Sequence, residues 1–112
     1  MANVMTVNGP IDASKLGITL MHEHIYMDAT REVGGRNGLL NDPELMYKEL
    51  MLYKEAGGVS IVDQTTGGLR GGTKEGASRD LMPEKHCIAI KNIAKKTGLN
   101  IILGAGWYRD LY

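Results

Sequence analysis

The sequence contains a single cysteine, Cys87, and no excess of either charge. One cysteine excludes an intramolecular disulfide and fits a reducing compartment. Thirteen Lys and Arg residues balance thirteen Asp and Glu residues, so no basic field indicates binding to nucleic acid or to a membrane surface. The sequence also lacks the ~20 consecutive apolar residues of a membrane-spanning helix and the basic and apolar regions of a secretory signal. We therefore expect a cytoplasmic protein without a nucleic-acid or membrane partner.

Phenylalanine is also absent, whereas glycine is abundant, with 15 residues. The glycines cluster where apolar runs end, which predicts many tight turns. The length of 112 residues fits one small domain over residues 1–112, because a chain of this size can bury roughly two-thirds of its unfolded surface.

Short apolar runs predict several strands. A β-hairpin is predicted from a strand at residues 4–7, a turn at residues 8–10 and a return through Ile11. Three further strands are predicted at residues 18–22, 59–62 and 100–103. These three runs are continuously apolar rather than alternating, which is typical of parallel strands that are covered on both faces.

Two helices are predicted between these strands. We expect Asp42 to cap the first helix, Pro43 to occupy its first position, and glycines 57 and 58 to end it. The second helix is expected to begin at Asp80 or Met82 and to end at Gly98. The expected buried positions are Leu45, Met46, Leu50, Tyr53 and Ala56 in the first helix, and Ile90, Ile93, Ala94 and Thr97 in the second.

The remaining long segments, residues 26–41 and 65–79, are rich in glycine or polar residues and are expected to be irregular loops. Helical crossovers between consecutive strands are what parallel pairing requires. The order of elements therefore predicts an α/β fold.

Two histidines end the first of the parallel strands, in the sequence His22-Glu23-His24. If the strand continues through them, both imidazoles project to one side and Glu23 to the other. Neutral histidine is the commonest metal ligand, and α/β barrels place their active sites at the carboxyl ends of their strands. We therefore predict that His22 and His24 bind a metal and that Glu23 is an orienting or structural carboxylate. Two ligands are fewer than the about three of a catalytic zinc site.

Three other residues are candidates for supporting roles. Asp63 ends the second parallel strand, where it either orients a metal-binding histidine or caps the following loop. Trp107 and Tyr108 follow the third strand at the same edge of the sheet, where they either line a substrate pocket or cover the rim. His86 and Cys87 are neighbours on a helix and diverge by about 100°, so we interpret them as packing or surface residues rather than a catalytic pair.

Two glycine-rich segments resemble nucleotide-binding loops but depart from them. Residues 67–74 have the glycine spacing of a phosphate-binding loop, but Thr73 and Lys74 stand in the reverse order. Residues 104–109 lack the third glycine of a dinucleotide-binding motif. Nucleotide binding is therefore disfavoured.

The run Gly17-Ile18-Thr19-Leu20-Met21-His22-Glu23-His24-Ile25 resembles the signature of the phosphotriesterase family, within the amidohydrolase superfamily. Three further segments agree with the family in order and spacing, at residues 5–10, 57–68 and 97–104. The resemblance covers essentially the whole chain.

The resemblance implies a (β/α)₈ TIM-type barrel with two divalent metals, usually zinc, bridged by a hydroxide. It also implies that His22 and His24 bind the more buried metal. The other family ligands are a bridging carboxylated lysine or a glutamate near strand four, two later histidines and an aspartate on strand eight. We expect this chain to be the N-terminal three βα units of an incomplete barrel, preceded by a hairpin. Those other ligand positions would then be absent, and the helical lysines 91, 95 and 96 would not replace the bridging lysine.

The implied activity is that of a metal-dependent hydrolase, in which a metal-activated water attacks a small-molecule ester, lactone or phosphotriester. We expect the 112-residue chain alone to be inactive. The alternative is a catalytically inactive fragment that acts as a weak metal-binding module or pairs its open sheet edge with another chain. Association of copies into a homo-oligomer is left open.

Overall fold

A computed structural model of the chain describes residues 2–30, 38–71 and 83–108. Seven strands and two α-helices lie in these ranges. The strands are β1 (Asn3–Thr6), β2 (Gly9–Asp12), β3 (Thr19–Glu23), β4 (Met27–Asp28), β5 (Leu39–Leu40), β6 (Ser60–Asp63) and β7 (Asn100–Leu103), and the helices are α1 (Pro43–Glu55) and α2 (Pro83–Thr97).

The central element is a three-stranded parallel sheet in the order β3-β6-β7. In its register, Ile61 pairs with Leu20 on one side and with Ile101 on the other. The helices α1 and α2 are the crossovers that connect these strands, as parallel pairing requires. The carboxyl ends of the three strands therefore meet at one edge of the sheet.

The strands β1 and β2 form an antiparallel pair in which Thr6 faces Gly9. Gly9 has a φ of 109°, a conformation that glycine adopts without steric cost. This pair lies against the parallel sheet, because the backbone N–H of Val7 donates to the carbonyl of Ile101 over 2.9 Å.

The start of α1 follows from the local sequence. The Asp42 carboxylate accepts hydrogen bonds from the backbone N–H groups of Glu44 and Leu45, at 3.1 and 3.2 Å, which satisfies two donors that the first turn leaves free. The helix α2 is described from Pro83, so the predicted starts at Asp80 and Met82 lie outside the described residues.

The core lies between the parallel sheet and the two helices. Its centre is formed by Ile61 and Ile101 from the strands and by Leu50, Ile90 and Ile93 from the helices, all buried. Burial of each such side chain contributes about 1.5–3 kcal/mol. Tyr53, also predicted to be buried, packs against this core and donates to the carbonyl oxygens of Ile18 and Ser60 over 2.9 and 2.8 Å.

Four expectations are wrong, three about burial and one about a loop. Leu45 on α1 is 52% exposed, and Ala56, which follows the last residue of α1, is also exposed. Met21 on β3 is 67% exposed, so β3 is not covered on both faces. On the side that carries Leu20, β3 faces α1 across a cavity, and no described strand pairs with its outer edge. The region expected to be an irregular loop contains the short antiparallel pair β4 and β5, in which Met27 faces Leu40.

The described residues hold two βα units followed by a third parallel strand, and the expected third unit stays a prediction. The strands β3 and β6 each begin and end one residue later than expected. No helix in the described ranges combines the length and the apolar character needed to cross a membrane.

Candidate functional site

The two histidines of the His22-Glu23-His24 segment lie side by side at the carboxyl end of β3. Their ring centroids are 5.4 Å apart and their planes meet at 66°. His24 follows the last residue of β3, and the pairing of β3 with β6 shifts register between Leu20 and Glu23. The strand is therefore less regular than expected here, yet the two rings still lie close together. His22 is exposed and His24 is half-buried.

Residues at the end of β6 hold the chain around His24. Asp63 Oδ2 accepts from the backbone N–H of Ile25 over 2.9 Å, and the backbone N–H of Gln64 donates to the carbonyl of Glu23 over 2.8 Å. The backbone is therefore bound immediately before and immediately after His24.

Asp63 occupies a fully buried position at the end of β6. Besides the bond from Ile25, its second oxygen accepts from the backbone N–H of Thr65 over 2.8 Å. The carboxylate therefore caps the loop after β6 and also joins this loop to the segment after β3. The bond from Thr65 agrees with the capping role considered from the sequence, whereas the orienting role stays a prediction.

Thr65 is a site residue that the sequence analysis missed. Its side chain is fully buried, and its Oγ1 lies 2.9 Å from Nδ1 of His24. The contact spans 41 positions of sequence, so no local pattern reveals it. The sequence offers one signal that Thr65 is a site residue: it stands two residues after Asp63, at the edge where the parallel strands end.

The surroundings of His24 favour its neutral form. Burial of the imidazole lowers the pKa of His24 below 6.5, and His22 lowers it further, while the charges of Asp63 and Glu23 oppose the shift. A neutral imidazole is the form that binds a metal.

The separation of the two rings matches that of two imidazoles on a single divalent ion. A zinc–nitrogen bond is about 2.0–2.1 Å long, so two imidazoles around one tetrahedral ion have ring centres about 5.2 Å apart. The observed separation is 5.4 Å. Within the described ranges, however, no group of three or more His, Cys, Asp and Glu side chains is placed to hold a metal. Within these ranges, the two histidines by themselves are therefore fewer ligands than a metal site needs.

Glu23 lies beside a cavity of about 310 Å³ between β3 and α1. Polar groups of Glu23, His24 and Glu49 line it, together with apolar side chains of both elements. Glu23 therefore borders the sheet–helix interface next to the histidine pair.

Trp107 and Tyr108 lie at the same edge of the sheet as the histidines, after β7. The backbone N–H of Tyr108 donates to the carbonyl of Gly67 over 2.8 Å, and that of Gly67 donates to the carbonyl of Gly106 over 3.0 Å. The Trp107 ring lies over Gly67, where an added Cβ would come 2.5 Å from its Cε3 atom. Trp107 and Tyr108 are 58% and 42% exposed, so both offer ring surface at this edge.

Arg70 joins the loops that follow β6 and β7. Its Nε donates to the carbonyl of Thr65 over 3.1 Å, and its Nη2 donates to the carbonyl of Gly104 over 2.9 Å. The arginine thus holds the loop that carries Thr65 against the segment that leads to Trp107.

The other sequence candidates lie in α2 or outside the described ranges. His86 is buried and its Nδ1 lies 3.0 Å from the carbonyl oxygen of Gly71, while Cys87 is half-buried. Both therefore pack within the fold. Residues Thr73, Lys74 and Arg109 of the two glycine-rich motifs are outside the described residues.

The fold and the histidine pair define an α/β protein with a candidate metal site at the carboxyl edge of a parallel sheet. The sequence model of the Phosphotriesterase family matches residues 2–112. The chain therefore belongs to the phosphotriesterase family, and it matches the N-terminal portion of that family.

Individual relatives agree with this assignment. The chain is 34% identical to an N-acetyltaurine hydrolase from Xenopus tropicalis over 139 aligned positions, which cover 96% of the chain and 35% of the relative. Among solved structures, it superimposes on a lactonase from Listeria monocytogenes with a TM-score of 0.77 and 26% identity, covering 98% of this chain and 30% of that one. A phosphotriesterase from Mycobacterium tuberculosis gives a TM-score of 0.63 and 28% identity, with coverages of 96% and 30%. The chain thus spans about a third of the length of these relatives.

Proposed function

We propose that this chain contributes His22 and His24 to the metal centre of a hydrolase of the phosphotriesterase type. The observation that carries the proposal is the pair of imidazoles 5.4 Å apart at the carboxyl end of a parallel strand. The family membership shown by residues 2–112 supports a hydrolase, and the histidine pair supports a dependence on divalent metal. Zinc is the proposed metal, since two imidazoles suit it, and the complete site is proposed to be binuclear.

A divalent metal held there would supply a water of lowered pKa and would polarise the bond under attack. The residues of this chain would bind the metal and orient its ligands. His22 and His24 provide two ligand nitrogens, and the buried Asp63 fixes the backbone next to His24 through the N–H of Ile25.

The proposed substrates are small molecules with an ester, lactone or phosphotriester bond. The names of the Listeria and Mycobacterium relatives indicate lactones and phosphotriesters, and that of the Xenopus relative indicates an amide bond. Trp107 and Tyr108 are proposed to line the substrate pocket, because both expose ring surface beyond β7 at the edge that holds the histidines.

The 112-residue chain by itself is proposed to bind metal weakly and to lack turnover. The described residues bring together two histidines, fewer than the about three protein ligands of a catalytic zinc. The second candidate function is therefore a non-catalytic module that binds metal or pairs its sheet edge with a partner. The exposed edge strand β3, with Met21 67% exposed, favours this candidate for the isolated chain.

A chimera tests the catalytic proposal. In it, this chain replaces the matching 30% of the Listeria lactonase, with which it shares the fold. The purified, zinc-loaded chimera is assayed with a lactone, a phosphotriester and N-acetyltaurine. We expect turnover of at least one substrate, and loss of more than about 100-fold in kcat/KM for His22→Ala and for His24→Ala, which corresponds to about 2.7 kcal/mol of transition-state stabilisation.

The matched control is Lys48→Ala, an exposed position on α1, which should leave turnover unchanged. Full activity in a folded His22→Ala, His24→Ala double variant would refute the metal assignment. Turnover by the isolated 112-residue chain would instead refute the proposal that it is inactive alone.

A further inference from the structure

We infer that Thr65 is the positioning residue for His24. Its hydroxyl is hydrogen-bonded to Nδ1 of the ring, which leaves Nε2 as the nitrogen that binds a cation. This inference rests on the proposed function, because it assigns Thr65 a role through a proposed metal ligand. The contact itself is a property of the metal-free chain.

The contact is short and buried. Oγ1 of Thr65 lies 2.9 Å from Nδ1 of His24, within the usual hydrogen-bond range, and Thr65 is fully buried. A cation at Nδ1 would have to displace this hydroxyl and leave it without a partner in a buried position, which costs stability. Nε2 is the ring nitrogen that can bind a cation without breaking the contact.

The backbone of Thr65 is hydrogen-bonded on both sides of its Cα atom. Its backbone N–H donates to Asp63 over 2.8 Å, and its carbonyl accepts from Nε of Arg70 over 3.1 Å. Arg70 is in turn bound to the carbonyl of Gly104. The hydroxyl therefore has a defined position, and a hydrogen bond to it fixes the plane of the imidazole as well as its place.

A cation on Nε2 requires the ring proton to lie on Nδ1, where it donates to Oγ1 of Thr65. A hydrogen bond from the second nitrogen is the usual way in which a metal-binding histidine is oriented. The two histidines therefore differ. His24 is held before the cation arrives, whereas the described residues give the exposed His22 no hydrogen bond of this kind, and it adapts on binding.

The first test needs no metal. Thr65→Val removes the hydroxyl and keeps the shape of the side chain, Thr65→Ser keeps the hydroxyl, and Thr66→Val makes the same change one residue away as the matched control. Three-bond NMR couplings to Cγ of His24 report its χ1 torsion. We expect one rotamer in the wild-type chain, in Thr65→Ser and in Thr66→Val, and rotamer averaging in Thr65→Val. Circular dichroism confirms that each variant is folded.

The second readout is zinc affinity, measured by NMR titration of the same four chains. Loss of the hydrogen bond at the second ring nitrogen of a metal-binding histidine weakens metal binding by about 10–100-fold. We expect a loss of at least tenfold in Thr65→Val and less than threefold in Thr65→Ser and Thr66→Val. In the zinc-loaded wild-type chain, the nitrogen shifts of His24 should show a protonated Nδ1 and a bound Nε2.

The two readouts separate the inference from the proposed function. A single His24 rotamer in a folded Thr65→Val chain overturns the positioning role, whatever its zinc affinity. Unchanged zinc affinity in Thr65→Val also overturns it, provided that the wild-type chain binds zinc. Rotamer averaging without any zinc binding by the wild-type chain would support the contact and refute the proposal that the isolated chain binds metal.

Discussion

The carboxylate of Asp63 accepts a hydrogen bond from the backbone N–H of Ile25 over 2.9 Å and so joins the end of β6 to the segment after β3. The same carboxylate accepts from the N–H of Thr65 over 2.8 Å. Two loops that lie far apart in sequence are thereby held by one fully buried side chain. The position of His24, between Glu23 and Ile25, depends on this link.

Asp63→Asn should destabilise the chain by about 2–3 kcal/mol, because hydrogen bonds to a charged acceptor are worth about 1.5–3 kcal/mol each and the amide replaces one acceptor by a donor. Urea denaturation followed by circular dichroism measures the change. The control is Asp12→Asn, since Asp12 also accepts from a backbone N–H, that of Ser14, and asparagine caps equally well. Equal losses in the two variants would contradict the special role of Asp63.

Gly67→Ala should displace the Trp107 ring, since the new Cβ would lie 2.5 Å from Cε3. Overpacking of this kind costs about 1–3 kcal/mol or moves the neighbouring group. Trp107 is the chain's single tryptophan, so a change in the wavelength of its fluorescence emission reports the displacement directly. Thr66→Ala, at the preceding position, serves as control, and an emission spectrum in Gly67→Ala that matches the wild type would show that the ring does not lie over Gly67.

Tyr53→Phe should destabilise the chain by about 1 kcal/mol, because it removes a donor shared by two backbone carbonyls. The hydroxyl of Tyr53 bridges Ile18 and Ser60, at the start of β3 and β6. Tyr47→Phe is the matched control, since the Tyr47 ring, rather than its hydroxyl, contacts Lys96. The shift in urea midpoint should be confined to Tyr53→Phe, and a similar shift in both variants would refute this explanation.

The metal-free chain should lose stability as the pH falls through the titration range of His24. Burial lowers the pKa of His24 below 6.5, so between the folded pKa and 6.5 the unfolded chain binds more protons than the folded chain. Stability therefore rises with pH across this window and is lost below it. Urea denaturation from about pH 5 to pH 8, compared between wild type and His24→Gln, isolates the effect. An NMR titration midpoint for His24 at 6.5 would abolish the effect, and a midpoint above 6.5 would reverse its sign.

Local signals in the sequence account for much of the fold. The Asp42-Pro43 start of α1 is confirmed because a cap depends on the neighbouring three residues. Strand β7 matches its predicted range because Gly98 ends the preceding helix two residues before the strand and Gly104 directly follows it. The proximity of His22 and His24 also followed from a local property, their spacing of two residues near the end of a strand.

The contacts that organise the candidate site are not local. Thr65 meets His24 across 41 positions and Arg70 reaches Gly104 across 34, so neither contact leaves a periodic signal. The pair β4 and β5 was missed because strands of two residues are too short to show alternation. The exposure of Leu45 was missed because the pattern of a helix shows its apolar face but not whether a neighbour covers it.

The most direct test of the account is a zinc titration of the isotope-labelled chain, followed through the ring signals of its three histidines. We predict that the signals of His22 and His24 change together, with one dissociation constant, while those of the buried His86 stay unchanged. His22→Ala and His24→Ala should each weaken zinc binding at least tenfold. Zinc binding that leaves the His22 and His24 signals unchanged, or that persists in the double variant, would contradict the assignment of this pair as metal ligands.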